Sequence, residues 1–376
     1  MGVEVSAVGS VRDLETFLKV PAILRPESYV NKNPGRWVRP LLARRQNPYF
    51  RHADHALLIA RRDGRPVGRV ATFVDHLCNR TFSEQVGTFC LFDCIDSPRV
   101  GAKIFEAAER WFLDHKVCTI RGPLGPAMRL GTGLLVEGHG QVPMPGMTVD
   151  PPGLGPLIEA AHYERWRDLL AYRLATDRFP TTLSRSADDA RRRRGLVLRP
   201  FRFDAFDADI EKVRAVINDM PGISKTCAPW TTDEVRWMAK RLWLILDPLL
   251  ILLVEQEGEP AGVGLALRNV REVLHGRSPR SSLLDAVQIA TVLRLRQARS
   301  ARIMMLSVRP QFLGGGGDMT ALLLSELAGR LALLGVRWAE VSLVDPSDES
   351  LLAALSAAGA EPYKTYRVYQ KTLREG

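Results

Sequence analysis

Apolar positions along the chain switch between the two-residue period of strands and the three-to-four-residue period of helices, in an order that occurs twice. In the first run, residues 3–8 read as a short strand, 11–24 and 37–45 as helices, and 56–71 as two β-rich stretches folded about Asp63-Gly64, a strong hairpin pattern. Residues 87–95 read as a buried strand and 99–115 as an amphipathic helix with Ile104, Phe105, Ala108, Trp111 and Phe112 on one side. A strand at 117–121, a Gly- and Pro-rich segment at 122–155, a helix starting at 157–161 and a strand at 168–174 complete it. The order then returns: a strand at 196–203, helices at 208–220 and 231–246, a hairpin at 249–269, a strand at 303–308 and a helix at 319–334.

This order predicts a mixed α/β fold made of two tandem copies of one unit. The turn Glu257-Gly-Glu-Pro-Ala-Gly262 repeats Asp63-Gly-Arg-Pro-Val-Gly68 in its Gly, Pro and Gly positions, and residues 160–172 line up with 357–369. The expected domains are residues 1–174 and 196–376, joined by a polar and basic linker at 175–195. Two unrelated α/β domains that share a hairpin turn also fit the pattern.

The copies differ after the third long strand. In the second copy Leu306, Ser307, Val308 and Arg309 lead through Leu313 into four consecutive glycines, Gly314, Gly315, Gly316 and Gly317, and Asp318 and Met319 open a helix. Glycines permit positive φ and let backbone N–H groups approach a ligand closely. The helix start adds unpaired donors and the positive end of its dipole. The stretch reads as an anion cradle for the pyrophosphate of a coenzyme. Asp318 is equally suited to cap the helix, which describes a closed turn without a ligand. The first copy has Asp96-Ser-Pro-Arg-Val-Gly101 at this place, with one glycine at its end, so the coenzyme site is expected in the second copy.

At 376 residues and 46% hydrophobic, the chain is long enough for two cores. Its apolar run at 242–254 is broken by Asp247 and Pro248 and falls short of the roughly 20 residues of a membrane span. The first residues show neither the basic start nor the apolar core of a secretory signal. A cytoplasmic protein without a membrane partner is the expectation. The net charge of +10 includes the run Arg191 to Arg194, which suits an anionic partner such as nucleic acid. No aromatic residues interleave that run, so a solvated linker is the simpler reading. The five cysteines, Cys78, Cys90, Cys94, Cys118 and Cys227, form no C-x-x-C pair and read as reduced thiols. No zinc-ligand cluster, P-loop lysine or dinucleotide-binding glycine spacing is present.

From residue 196 onward the chain resembles the GCN5-related N-acetyltransferase superfamily. The likeness rests on the element order, the hairpin at Glu257-Gly258, the strand-loop-helix from Met304 to Leu334 and the closing Ala358-Gly-Ala-Glu-Pro-Tyr363. The whole chain is similar to bacterial tandem members through Arg121-Gly-Pro123, Gly133-Leu-Leu-Val-Glu-Gly138 and Tyr363-Lys-Thr-Tyr-Arg-Val-Tyr369. The resemblance implies acetyl-CoA or another acyl-CoA as co-substrate and direct acyl transfer to a small-molecule amine. It also implies pyrophosphate on the loop amides and pantetheine in a splayed gap between the strands that flank the helix. The loop matches the superfamily pattern in two registers, at Gln311 to Gly316 and at Leu313 to Asp318; distance to the helix favours the second. The coenzyme residues it implies are Leu306, Ser307, Val308, Arg309, Leu313, Gly314 to Gly317, Asp318 and Met319.

Acyl transfer from a thioester to an amine needs a base, because an alkyl ammonium titrates near about 10. The tyrosine that the superfamily often places four residues before the counterpart of Gly359 is Leu355 here. Asp345, beyond the strand at 340–344, and Tyr366, on the last strand, are the candidate catalytic groups. Helix capping by Asp345 or Asp348 and ordinary packing of Tyr363, Tyr366 and Tyr369 fit the same positions. Two other readings share this fold. One is a ligase resembling the aminoacyl-tRNA-dependent peptidyl transferases; the other is a binding protein that kept the fold without catalysis.

Overall fold

The structure, a computed structural model, describes residues 2–26, 35–125, 131–141, 143–219, 229–243, 245–273, 291, 298–313 and 318–373. Two compact units divide the chain. The first comprises Met1–Gln141, Gly146–Asp168 and Thr365–Gly376, and the second Val142–Pro145 and Leu169–Lys364.

In the first unit, strands β1 (Val3–Ala7), β2 (Ala53–Arg62), β3 (Arg65–Asp75), β4 (Val86–Cys94) and β5 (Thr119–Gly122) lie side by side in chain order. Residues 365–372 of the chain's last strand follow β5 and also pair with β6 (Leu134–Glu137). Only β4 and β5 run parallel. Its helices are α1 (Val11–Leu24), α2 (Gly35–Leu41), α3 (His76–Phe82), α4 (Pro98–Asp114) and α5 (Leu154–Glu159). Strand alternation separates two cores. Leu58 and Ala60 pack with Ile104, Phe105 and Phe112 of α4, whereas Leu57 and Ile59 pack with Phe17 and Leu18 of α1.

The second unit repeats the plan. Its sheet order is β7 (Glu164–Ala175, residues 169–175 here), β12 (Trp338–Val344), β11 (Ser300–Val308), β10 (Glu259–Arg268), β9 (Ile251–Gln256) and β8 (Leu196–Pro200), and only β11 and β12 run parallel. Helices α6 (Thr181–Arg193), α7 (Phe206–Asn218), α8 (Thr232–Leu242), α9 (Val270–Val273), α10 (Asp318–Leu333) and α11 (Glu349–Ala357) accompany it, and β13 (Glu361–Thr372) closes the chain. Thr231 and Glu234 start α8 with a reciprocal capping box. Helix α10 buries Met319, Leu322, Leu323, Leu327 and Leu331 in the core of the unit.

The stretch 175–195, expected as a solvated linker, contains α6. This helix belongs to the second unit, buries Ala187 and Ala190, and packs Leu183 on the same core. Ser325 Oγ of α10 also donates to Ser184 Oγ at 2.9 Å. Three small or medium apolar side chains at helical spacing make the contact, and the surrounding arginines mask that stripe in a composition-based reading. No helix among the described residues is long and apolar enough to cross a membrane.

The repeated hairpin has a physical reason. Asp63 and Gly64, and likewise Glu257 and Gly258, take positive φ, as the tight turn between right-twisted strands requires. The second glycine of each repeat serves packing. A Cβ at Gly68 would sit 2.5 Å from Ile104 Cδ1 and 2.9 Å from the Asp93 carbonyl oxygen. At Gly262 it would lie 3.2 Å from both Leu323 Cδ1 and the Ser307 carbonyl oxygen. In both units the bare strand lets the long helix approach. Gly68→Val is therefore expected to destabilise the first unit by about 1–3 kcal/mol, because the obstacle includes backbone that cannot rotate away. A urea titration checks this, and an unchanged midpoint would contradict the packing account.

Candidate active site

Strands β11 and β12 hydrogen-bond from Ser300↔Trp338 to Ile303↔Val341 and no further, although they continue to Val308 and Val344. Beyond that point β11 stays on β10, with Leu306 opposite Gly264 and Val308 opposite Gly262, while β12 stays on β7, with Val344 opposite Leu170. Two parallel strands thus part within the sheet. The β10–β11 ladder has Ala266 opposite Ile303 and Leu265 opposite Met305, so Met304 is an unpaired bulge residue where the parting begins. Met304, Met305 and Leu306 are half-buried along the freed edge.

The first unit has the same parting, and there the chain turns back once to the freed edge. Strands β4 and β5 pair only from Val86↔Thr119 to Thr88↔Arg121. The Leu124 amide then donates to the Phe89 carbonyl at 2.7 Å, which returns the chain to the freed edge of β4. No such bond bridges residues 304–308 and 342–346 among the described residues of the second unit.

The residues expected at the coenzyme distribute as follows. Leu306, Ser307 and Val308 form the freed part of β11. The Ser307 hydroxyl is buried and has no hydrogen-bond partner among the described residues, which leaves one polar group on the freed stretch of β11 unsatisfied. Arg309 is occupied: its Nε donates to Asp219 Oδ2 at 2.6 Å and its Nη1 to the Pro260 carbonyl at 3.2 Å. Leu313 packs against the core, and Met319 is a core residue of α10 beneath Gly262. Gly314, Gly315, Gly316 and Gly317 lie outside the described residues, as does the side chain of Asp318, the first residue of α10.

Of the two candidate catalytic residues, Asp345 is buried in the second unit, where its Oδ1 accepts from the Ser347 amide at 3.0 Å and the Ser347 hydroxyl at 2.8 Å. That is a turn-closing role. Asp348 caps α11 through the Leu351 amide at 3.0 Å, and burial pushes its carboxyl above the usual carboxylate range. Tyr366 belongs to the first unit, 1% exposed and facing Gly133, where a Cβ would come within 2.7 Å of it. The structure therefore does not bring Asp345 and Tyr366 together in one unit. Leu355 lies in the apolar core. Burial pushes the Cys90 and Cys94 thiols up to about 12, which suits inert packing groups rather than nucleophiles. No group of three or more metal-ligating side chains occurs among the described residues.

A different set of polar residues does converge at the root of the parting. Ala301, Ile303, Ala339 and Val341 face the core beneath α10, so by alternation Arg302, Glu340 and Ser342 face the other side of the sheet. Glu340 is wholly buried. Its Oε2 accepts from Lys364 Nζ at 2.9 Å and from the Tyr363 hydroxyl, and its Oε1 from Ser342 Oγ at 2.6 Å. Arg302 Nε donates to Ser342 Oγ at 2.9 Å, its Nη2 to the Ser342 carbonyl at 3.1 Å, and its Nη1 to the Pro145 carbonyl at 2.8 Å. The only sign of this network in the sequence is two charges in otherwise apolar strands, Arg302 in β11 and Glu340 in β12. Removing one partner of a buried ion pair strands the other charge. Lys364→Met is expected to cost about 3–5 kcal/mol, and adding Glu340→Gln should recover part of it. Denaturant titrations of the single and double variants check the coupling; strictly additive losses would contradict it.

No protein-family model matches the chain. Two curated proteins align over nearly the full length. "Bacterial ceramide synthase" of Caulobacter vibrioides is 30% identical, with 96% of this chain and 95% of that protein covered. "Protein YghO" of Escherichia coli is 26% identical, with 96% and 93% covered. Among solved structures, a tandem GNAT protein of the clavulanic acid biosynthesis pathway superposes with a TM-score of 0.58 at 14% identity, covering 100% of both chains. A GCN5-related N-acetyltransferase from Sphaerobacter thermophilus gives 0.51 at 15% identity, covering 100% of this chain and 96% of the other. At such identities these two show the fold. The 30% identity to the Caulobacter protein over nearly the whole of both chains and the duplicated fold lead to one conclusion: the chain belongs to the family of the bacterial ceramide synthase, acyltransferases of tandem GCN5-related N-acetyltransferase architecture.

Proposed function

We propose that the protein is an N-acyltransferase that moves a fatty acyl group from acyl-CoA onto the amine of a long-chain amino alcohol. The observation that carries this reading is the end-to-end match to a bacterial ceramide synthase, since a ceramide is the N-acyl amide of such an amino alcohol. The geometry of the second unit supports this reading. Its parted strands offer unpaired backbone groups beside Met304 and the buried Ser307 hydroxyl, groups suited to a pantetheine arm. Met304, Met305 and Leu306 line the freed edge, and flexible methionine side chains adapt to an alkyl chain better than rigid ones. The four glycines and the start of α10 provide the sequence for a pyrophosphate cradle.

The reaction is a direct displacement. The amine nitrogen attacks the thioester carbonyl carbon, a C–N bond forms, the C–S bond breaks, the nitrogen gives up a proton and the thiolate takes one. Incubating the purified protein with palmitoyl-CoA and sphinganine is expected to release free CoA thiol and N-acyl product in equal amounts, followed by thiol titration and mass spectrometry. Thiol release without the amide, or no turnover with sphinganine and a panel of other long-chain amines, would contradict the reading.

A further inference from the structure

We infer that Tyr363, held on Glu340, is the proton-transfer group of the acylation, a role that rests on the acyltransfer reading above. The position where the superfamily often carries its tyrosine is filled by Leu355, which lies in the apolar core and has no proton to move. Three tyrosines recur along β13, and the structure separates them. Tyr366 and Tyr369 are each 1% exposed and belong to the first unit, whereas Tyr363 is half-buried and belongs to the second. Only Tyr363 of the three is both partly exposed and part of the unit whose strands part.

Its hydroxyl donates to Glu340 Oε2. Glu340 stands opposite Arg302, one residue before the last paired position of β11 and β12, on the sheet face away from α10. The phenol is thus one hydrogen bond from a carboxylate at the root of the gap. The Trp338 ring meets Tyr363 edge-on at 6.3 Å between centroids, and Lys364 Nζ lies 4.8 Å from the Tyr363 ring centre, so the ring is held on two sides. Lys364 balances the buried charge of Glu340, and Ser342, itself fixed by Arg302, occupies the second carboxylate oxygen. Glu340 Oε2 is thus shared by the Lys364 ammonium and the phenol.

The chemistry follows from how acidity changes at nitrogen. A phenol and an alkyl ammonium both titrate near about 10 but a carboxylic acid near about 4, so the phenol relays a proton to Glu340 only as the nitrogen bonds to the carbonyl carbon and turns acidic. The free amine's lone pair forms the C–N bond, and the nitrogen gives one proton to Tyr363 Oη as the phenol gives its own to Glu340 Oε2. The C–S bond breaks with its electrons on sulfur, and the thiolate takes the proton back from Glu340 through Tyr363, which restores the starting state.

Two variants test this with palmitoyl-CoA and sphinganine as probes. Tyr363→Phe is expected to lower kcat by about 10²–10⁴-fold and to leave CoA binding by calorimetry and the melting temperature near those of the parent. Replacing Tyr363 by 3-fluorotyrosine, a stronger acid of nearly the same shape, should shift the pH–rate profile to lower pH, which a packing role cannot do. A Tyr363→Phe protein with near-parental kcat and an unchanged profile, or one whose losses track loss of CoA binding and of melting temperature, would overturn the assignment while the acyltransfer reading stood. A parent protein that binds CoA yet acylates no amine would remove the acyltransfer reading, and this one with it.

Discussion

Two neighbouring parallel strands keep their hydrogen bonds only while they share a course, and in the second unit they cannot. From Ile303 onward β11 remains bound to β10, and from Val341 onward β12 remains bound to β7. Backbone donors and acceptors are too costly to bury unpaired, so the edges that separate must meet water, another part of the chain or a ligand. The bulge at Met304 lies where the separation starts, and the buried Ser307 hydroxyl lies further along it. The candidate site is built outward from this opening, with the polar group around Glu340 at its root.

The duplication carries the same geometry twice. Both units carry the positive-φ hairpin turn and the glycine that admits a long helix, and in both the parallel pair separates after a few residues. In the first unit the Leu124 amide returns to Phe89, which re-engages the start of that edge. In the second unit no such return occurs among the described residues, and the Ser307 hydroxyl has no partner among them.

Much of this architecture was legible in the residues. Hairpins announced by Asp63-Gly64 and Glu257-Gly258, the apolar faces of α4 and α10 and the internal repeat all arise from local patterns that tertiary packing reinforces. The helix α6 was hidden because its inward stripe is only the half-buried Leu183 and the buried Ala187 and Ala190 among arginines. The site was less legible. Where the parallel ladder ends depends on which neighbour each strand follows, which no local pattern encodes. Tyr363, Tyr366 and Tyr369 recur at a spacing of three, and nothing in that spacing says which remains accessible. Asp345 looked available and is engaged by Ser347, whereas Glu340 looked like a misplaced charge and is held by three donors.

The central claim is that the opening beside β11 receives the acyl carrier. Amide hydrogen exchange, measured with and without palmitoyl-CoA, tests it most directly because it reports on the freed backbone itself. The account predicts slowed exchange in peptides covering residues 304–308 of the second unit and no change in those covering 89–94 of the first. Unchanged exchange at 304–308 in saturating palmitoyl-CoA, or protection confined to 89–94, would contradict it.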